Sequence, residues 1–585
     1  MSEQRKFSTQ HDAARFNREF FDSSEDFTFI GSGEFGGKAS GLAFARDILN
    51  KNVNPDDFGE MEINIPRLTV VTTAVFDAFM SRNKLFDIAC SGAPDDRIAH
   101  AFQKADFPTE FIGDLLALIR KVHQPLAVRS SSLLEDALYH PFAGVYATKM
   151  IPNNQLDVET RFHRLVEAVK FVWASTYFQE AKAYIRSTEQ AIASEKMAVI
   201  IQEVVGLRHG ERYYPNLSGV ARSYNFYPQG HAKPEQGVVD LALGLGKTIV
   251  DGGVVWTYSP AFPRAKPPFA SARDMVKLTQ SDFWAVNMGK PPAFDPIKES
   301  EYMVQPNLRE AEEDDALRFV ASTYDAQSDR LSPGTGMDGP RVLDFAPILD
   351  LNEIPLNKLL KLLLRLCEEA IGAPVEMEFA VTMDSRRRLA PRFGFLQVRP
   401  MMVSHEAVDV DEDAMSGTNV LAASDSVLGN GTVNTIQDIL YVRPEVFEAR
   451  NTKAIAEQIS KINRTLAEQK RPYLLVGFGR WGSSDPWLGI PVNWSEISAA
   501  KAIVEATLPE MNVDLSQGSH FFHNLSSFQV SYFAVRHDGN YRVDWEWLET
   551  QHTVSETPFV KHVQLETPLR IEVDGRSGRG VIYHD

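Results

Sequence analysis

PLAVRSSSLLEDALYHPFAGVYATK, residues 125–149, is the stretch on which the reading of the fold turns. A short apolar lead, Leu126 to Val128, runs straight into Arg129, and Ser130, Ser131 and Ser132 follow. That pattern predicts a buried strand ending in a guanidinium. The planar fork of an arginine matches phosphate oxygens, and the hydroxyls behind it add donors. The ordinary alternative is an arginine paired with Glu135 or Asp136 to hold a turn.

Three further stretches carry the same kind of signal. In FIGSGEFGGKASGLAFARDIL, Gly31, Gly33, Gly36 and Gly37 precede Lys38 and an amphipathic run. A glycine-rich turn at a helix start, followed by lysine, is a candidate phosphate cradle. It is no Walker A motif, because Ala39 stands where that motif needs Ser or Thr. In VEMEFAV and FGFLQVRP, Glu376 and Glu378 share a face of one strand, and Gln397 and Arg399 share a face of the next. The oxygens of Glu378 and Gln397 are hard ligands of the kind magnesium accepts beside phosphates. An arginine such as Arg399 stabilises charge on a transferring phosphoryl group, unless it is spent in a cross-strand salt bridge such as one with Glu378. In ALGLGKTIVDGG, Gly244 and Gly246 form a loop able to approach a ligand, with Lys247 behind it.

At 585 residues the chain is too long for one core and predicts several domains. A net charge of -18 repels polyanions, which argues against nucleic acid or an anionic membrane as partner. The two cysteines, Cys90 and Cys367, are far apart and read as isolated thiols. The N-terminal stretch lacks the apolar core of a signal peptide, and no apolar run is long enough to span a bilayer, so a cytoplasmic protein is expected.

Periodicity predicts α/β and α+β domains. Residues 1–195 alternate helix-like and strand-like stretches, with a strand and then a helix in INIPRLTVVTTAVFDAFM, capped at Thr72 or Thr73. Residues 196–403 hold strands in EKMAVIIQEVVG, SGVARSYNF and GVVDLALGLG. A strong amphipathic helix has Pro355 in its first turn and Gly372 just past its end. Residues 404–418 are acidic and polar and read as a linker. Residues 419–585 form a C-terminal domain with strands near TIQDILYV and a helix near TKAIAEQISKINRTLAEQ.

Taken in order, these motifs resemble the ATP-binding part of the phosphoenolpyruvate synthase and pyruvate phosphate dikinase family. The matching residues are Gly36-Gly37-Lys38, Ile65-Pro66, Val71-Thr72-Thr73 with Phe76, and Val128-Arg129-Ser130-Ser131. They continue with Glu135-Asp136, Phe142-Ala143-Gly144, Gln202 with Val204, and Ser218-Gly219-Val220. The series ends with Gly244-Leu245-Gly246, Glu378-Phe379-Ala380 and Leu396-Gln397-Val398-Arg399-Pro400. The resemblance covers about residues 25–402. It implies an ATP-grasp-type fold of two subdomains that binds ATP and Mg2+. Lys38 and Arg129 would hold the phosphates and Arg399 would lie near the transferred group. Glu378 and Gln397 would hold magnesium. Gln202, Glu203 and Val204 would face adenine, largely through backbone, near the Gly244–Gly246 loop.

The chain departs from that family after the linker. Its residues there are too few for the family's (β/α)8 barrel, which takes at least ~200. The C-terminal domain resembles the family's phosphohistidine swivel domain only faintly. In GFGRWGSSDPW, Ser483-Ser484-Asp485 stands where the family has Thr-Ser-His. Three routes stay open: phosphorylation of Asp485, use of His520 or His523, or direct transfer to an acceptor. A metal site of these histidines with Asp485 and Asp514 has no spacing that fixes it. The expected function is an ATP-dependent phosphotransferase acting on an unidentified acceptor, either dikinase-like or a plain kinase. An ATP-binding regulatory module without turnover is the alternative. A partner subunit that supplies the phosphohistidine or barrel domain is another.

Overall fold

The structure is a computed structural model that describes residues 13–18, 26–132, 135, 145–187, 192–226, 228, 231–251, 253–265, 271–384, 389–401, 408–483, 487–509, 525, 529–575 and 577–584. The chain forms two compact units. One holds residues 1–223 with 236–400, the other 224–235 with 401–585. Both are α/β, with mixed sheets. Among the described residues no helix is long and apolar enough to cross a membrane.

Two six-stranded sheets organise the first unit. The first runs Ala14–Arg15, Phe27–Ile30, Leu68–Val71, Met197–Glu203, Leu126–Ser132, Thr148–Ile151. The apolar lead before Arg129 is a strand because it is buried on both faces, with Leu126, Ala127 and Val128 in the core. The helix Thr73–Arg82 places Phe76 and Phe79 one turn apart, and both pack on Trp173. Thr72 is its N-terminal boundary, yet the hydroxyl does not cap the helix. It donates instead to the carbonyls of Ile30 and Ser32 at 3.1 and 2.6 Å.

The second sheet runs Trp256–Tyr258, Val238–Ala242, Leu217–Arg222, Val375–Thr382, Arg392–Pro400, Glu62–Asn64. All its pairings are antiparallel except the last. Glu62–Asn64 thus leaves the sequence segment that precedes it and joins the second sheet. The helix Leu356–Ile371 buries Leu356, Leu359, Leu360, Leu363, Leu364 and Cys367 on one stripe. Pro355 stands just ahead of it, and Gly372 ends it in the left-handed conformation at φ 75°.

The second unit contains a nine-stranded sheet. Gly431–Val442, Tyr473–Phe478, Ala500–Ala506 and Ser531–Val535 lie side by side and parallel. The helix Thr452–Glu468 makes the first crossover and buries Ile455, Ile459 and Leu466.

Candidate functional site

The glycine-rich loop is built by close approach. Gly31, Gly33 and Gly36 have φ of 92°, 98° and 78°. A Cβ on Gly36 would lie 1.9 Å from the carbonyl oxygen of Ser131, so only glycine fits there. Thr72 holds Ser32 as described, and the Thr73 hydroxyl accepts the Glu34 amide at 3.0 Å. The Ser131 hydroxyl donates to Phe35 O at 2.8 Å and accepts the Ala39 amide at 3.1 Å. The serines behind Arg129 therefore clamp the loop and the start of the helix Gly37–Asn52.

Lys38 enters from that helix. Its ammonium donates to Glu135 Oε1 at 2.8 Å and to the Ser130 hydroxyl at 3.2 Å. Glu135 also accepts from the Ser130 hydroxyl and the Ser132 amide, each at 2.8 Å. Glu135 thus serves Lys38, and the turn-holding pair of Glu135 with Arg129 is not formed.

Arg129 has a separate set of partners. Nη1 donates to the Leu396 carbonyl at 2.8 Å and to Gln202 Oε1 at 3.3 Å. Nη2 donates to Gln397 Oε1 at 2.7 Å and reaches Glu378 Oε2 at 3.5 Å. The guanidinium leaves the first sheet and ends on the second. Glu378 and Gln397 are directly opposite each other in the register, which is why two oxygens meet one nitrogen. Among the described residues no three His, Cys, Asp or Glu side chains group as a metal site. The Glu378 and Gln397 oxygens do converge on one cation, the Arg129 fork. That donor set fits magnesium, which takes one or two protein oxygens and the remainder from phosphate and water.

Two residues along the register, on the same face, lies a buried charge row. Arg399 Nε donates to Glu376 Oε1 at 2.8 Å, and Arg399 and Glu376 are each 3% exposed. Arg222 donates to Glu376 Oε2 at 2.7 Å and to Asp240 Oδ2 at 2.8 Å, and Thr257 donates to Asp240 Oδ1 at 2.6 Å. Burial opposes the Arg222 charge, but Glu376 and Asp240 outweigh it and push its proton affinity up. Arg399 is therefore held in a cross-strand salt bridge, with Glu376 rather than Glu378. Arg222 and Asp240 escaped the sequence reading. Their signal was a lone charge in each of two apolar runs, SGVAR and GVVDLAL.

The other expected residues are in different states. The Glu203 and Val204 amides donate to Arg67 O and Pro125 O, both at 2.9 Å, so they serve the protein backbone. Gln202 serves Arg129. Gly244, at φ 80°, has the Trp284 carbonyl 2.6 Å from where a Cβ would be, while Gly246 has room. Asp136, Phe142, Ala143, Gly144, Asp485, Asp514, His520 and His523 lie outside the described residues. In the second unit Trp481 is 2% exposed and gives its amide to Glu505, whereas Trp487 is 75% exposed. The two tryptophans do not share one environment.

Residues 32–419 match the family described as pyruvate phosphate dikinase, AMP/ATP-binding domain. A Bacillus subtilis (strain 168) protein named uncharacterized phosphotransferase YvkC is 28% identical over 193 residues, which are 32% of this chain and 20% of that protein. The chain thus spans about one-fifth of the length of the curated relative it matches.

Proposed function

The chain belongs to the pyruvate phosphate dikinase AMP/ATP-binding family, the N-terminal part of phosphoenolpyruvate synthase and pyruvate phosphate dikinase, and from that premise we propose that it is an ATP-dependent phosphotransferase. Its first unit is read as an ATP-grasp-type pair of subdomains that takes ATP with magnesium and passes a phosphoryl group to an acceptor. The observation that carries this reading is the Arg129 fork, which joins Gln202 on one sheet to Leu396, Gln397 and Glu378 on the other.

In this reading Arg129 and Lys38 bind phosphate oxygens, exchanging their present acceptors for those of the nucleotide. Glu378 and Gln397 would hold magnesium, which would neutralise charge on the phosphates. Glu376 keeps Arg399 oriented beside them. The phosphorus–oxygen bond to the nucleotide breaks as the bond to the acceptor forms.

The test is incubation with Mg-ATP labelled separately at the β and γ positions, followed by separation of nucleotides and protein. AMP with β-label on protein or product supports dikinase chemistry. ADP with γ-label on an acceptor supports a kinase. Tight binding with neither product overturns transfer and leaves the regulatory reading.

A further inference from the structure

We propose that Arg222 and Asp240 are positioning residues for phosphoryl transfer: Arg222 stands by as the counter-ion of Glu376, so that Arg399 can leave that carboxylate for a phosphate oxygen. This rests on the phosphotransferase reading of the preceding section and gives two further residues a part in it.

The row is built by register. Arg222, Glu376 and Arg399 are directly opposite one another on the neighbouring strands Leu217–Arg222, Val375–Thr382 and Arg392–Pro400. On the next strand Asp240 is opposite Val220 and so diagonal to Arg222, and Thr257 beyond it is opposite Asp240. Each group bonds the next. Thr257 donates to Asp240 Oδ1 at 2.6 Å, Arg222 Nη1 to Asp240 Oδ2 at 2.8 Å, Arg222 Nε to Glu376 Oε2 at 2.7 Å, and Arg399 Nε to Glu376 Oε1 at 2.8 Å. Negative and positive groups alternate, and the row ends in the positive Arg399. Gln397, which holds Arg129, is two residues from Arg399 on the same strand and face, about 7 Å along it.

Stability does not call for this arrangement. Asp240, Glu376 and Arg399 are each 3% exposed and Arg222 is 8% exposed. Apolar side chains of similar volume commonly hold a structure together as well as buried ion pairs, or better. What the row supplies instead is a shared carboxylate. Glu376 offers Oε2 to Arg222 and Oε1 to Arg399. With Arg399 as its sole counter-ion, Glu376 would become an uncompensated buried charge once Arg399 turned away, a strongly unfavourable state. Arg222 removes that obstacle, because it stays on Oε2 whichever way Arg399 points. Asp240 and Thr257 hold Arg222 in place from its other side. Glu376 and Asp240 also keep Arg222 charged against its burial. In the exchange Arg399 gives up Oε1 and takes a phosphate oxygen, and no covalent bond is made or broken.

Turnover of labelled Mg-ATP to AMP or ADP by the full-length chain, with Mg-ATP affinity from calorimetry, tests this. Arg222→Gln with Asp240→Asn removes one charge of each sign, so the row stays neutral and Arg399 becomes the sole counter-ion of Glu376. That protein is expected to bind Mg-ATP within about twofold of wild type and to lose about tenfold or more in kcat. Adding Glu376→Gln releases Arg399 and should recover kcat by about fivefold. Asp240→Asn alone leaves Arg222 wholly to Glu376, which loosens Arg399, and should raise kcat by about twofold. It is the milder change and decides alone if the double variant does not fold. A merely structural role would lower kcat in both. Wild-type kcat in the double variant, a loss that Glu376→Gln does not recover, or kcat at or below wild type in Asp240→Asn would each overturn the inference and leave the phosphotransferase reading in place. A wild-type protein that binds Mg-ATP and forms neither AMP nor ADP overturns that reading, and this inference with it.

Discussion

Nη2 of Arg129 lies 2.7 Å from Oε1 of Gln397 across a sequence separation of 268. The same guanidinium reaches three further oxygens on two sheets, so its planar fork matters as well as its charge. Lysine keeps the charge and loses the fork. Arg129→Lys should lower kcat/KM for phosphoryl transfer by about 100-fold, since charge-assisted hydrogen bonds are each worth ~1.5–3 kcal/mol. Turnover at the wild-type level in that variant would remove Arg129 from the mechanism.

Gly36 and Gly59 make a matched pair for testing the loop. Both have positive φ, 78° and 66°, but a Cβ on Gly36 meets Ser131 O at 1.9 Å and one on Gly59 meets nothing within 4 Å. Gly59→Ala should cost only backbone strain, ~1 kcal/mol. Gly36→Ala must also push the loop off the serine clamp. It should destabilise by more than ~2 kcal/mol and weaken ATP binding, as read by thermal melting and titration. Equal melting shifts would show that the loop has room to move.

Much of this site could be read from local sequence, and the part that could not depends on register. The apolar lead before Arg129 and the spacing of Glu376 and Glu378 are local signals, and the structure follows both. Which acid meets Arg399 is not local. Antiparallel pairing sets Glu376 opposite Arg399 and Glu378 opposite Gln397, and a one-residue slip would change every partner. The Lys38–Glu135 pair spans 97 residues and joins a helix to the segment after a strand, so no spacing announces it. Arg222 and Asp240 were visible as lone charges, but each looks like part of an ordinary strand until the sheet brings them together.

Arg399 and Glu376 should behave as one energetic unit. Removing one partner of a buried pair leaves an uncompensated charge and costs ~3–5 kcal/mol. Here Arg222 still faces Glu376 in Arg399→Met, so the loss should fall near the lower end. The double variant Arg399→Met with Glu376→Gln should cost less than the sum of the two single changes. Denaturant titration of all four proteins gives the coupling, expected to exceed ~1 kcal/mol. Additive losses would mean that the salt bridge contributes no coupling of its own.

Glu195 should make the stability of the first unit depend on pH near neutrality. It is 4% exposed, and its Oε1 has no hydrogen-bond partner. Burial pushes its carboxyl up to about 7, with a hydrogen bond from Ser132 opposing and the Glu135 charge reinforcing. The unfolded chain releases this proton near 4.5, whereas the folded chain keeps it until about pH 7. In that window the native state binds more protons, so stability falls as pH rises. The contribution is full below pH 4.5 and lost above about 7, on the order of 3 kcal/mol in total by the ~1.4 kcal/mol that each pKa unit represents. Glu195→Gln keeps the shape and cannot ionise. It should therefore match wild type at pH 5 and be the more stable protein at pH 8, as read from urea midpoints. A stability gap that stays constant from pH 5 to 8 would show that the carboxyl ionises at its ordinary pKa despite its burial, with its charge balanced in the folded state.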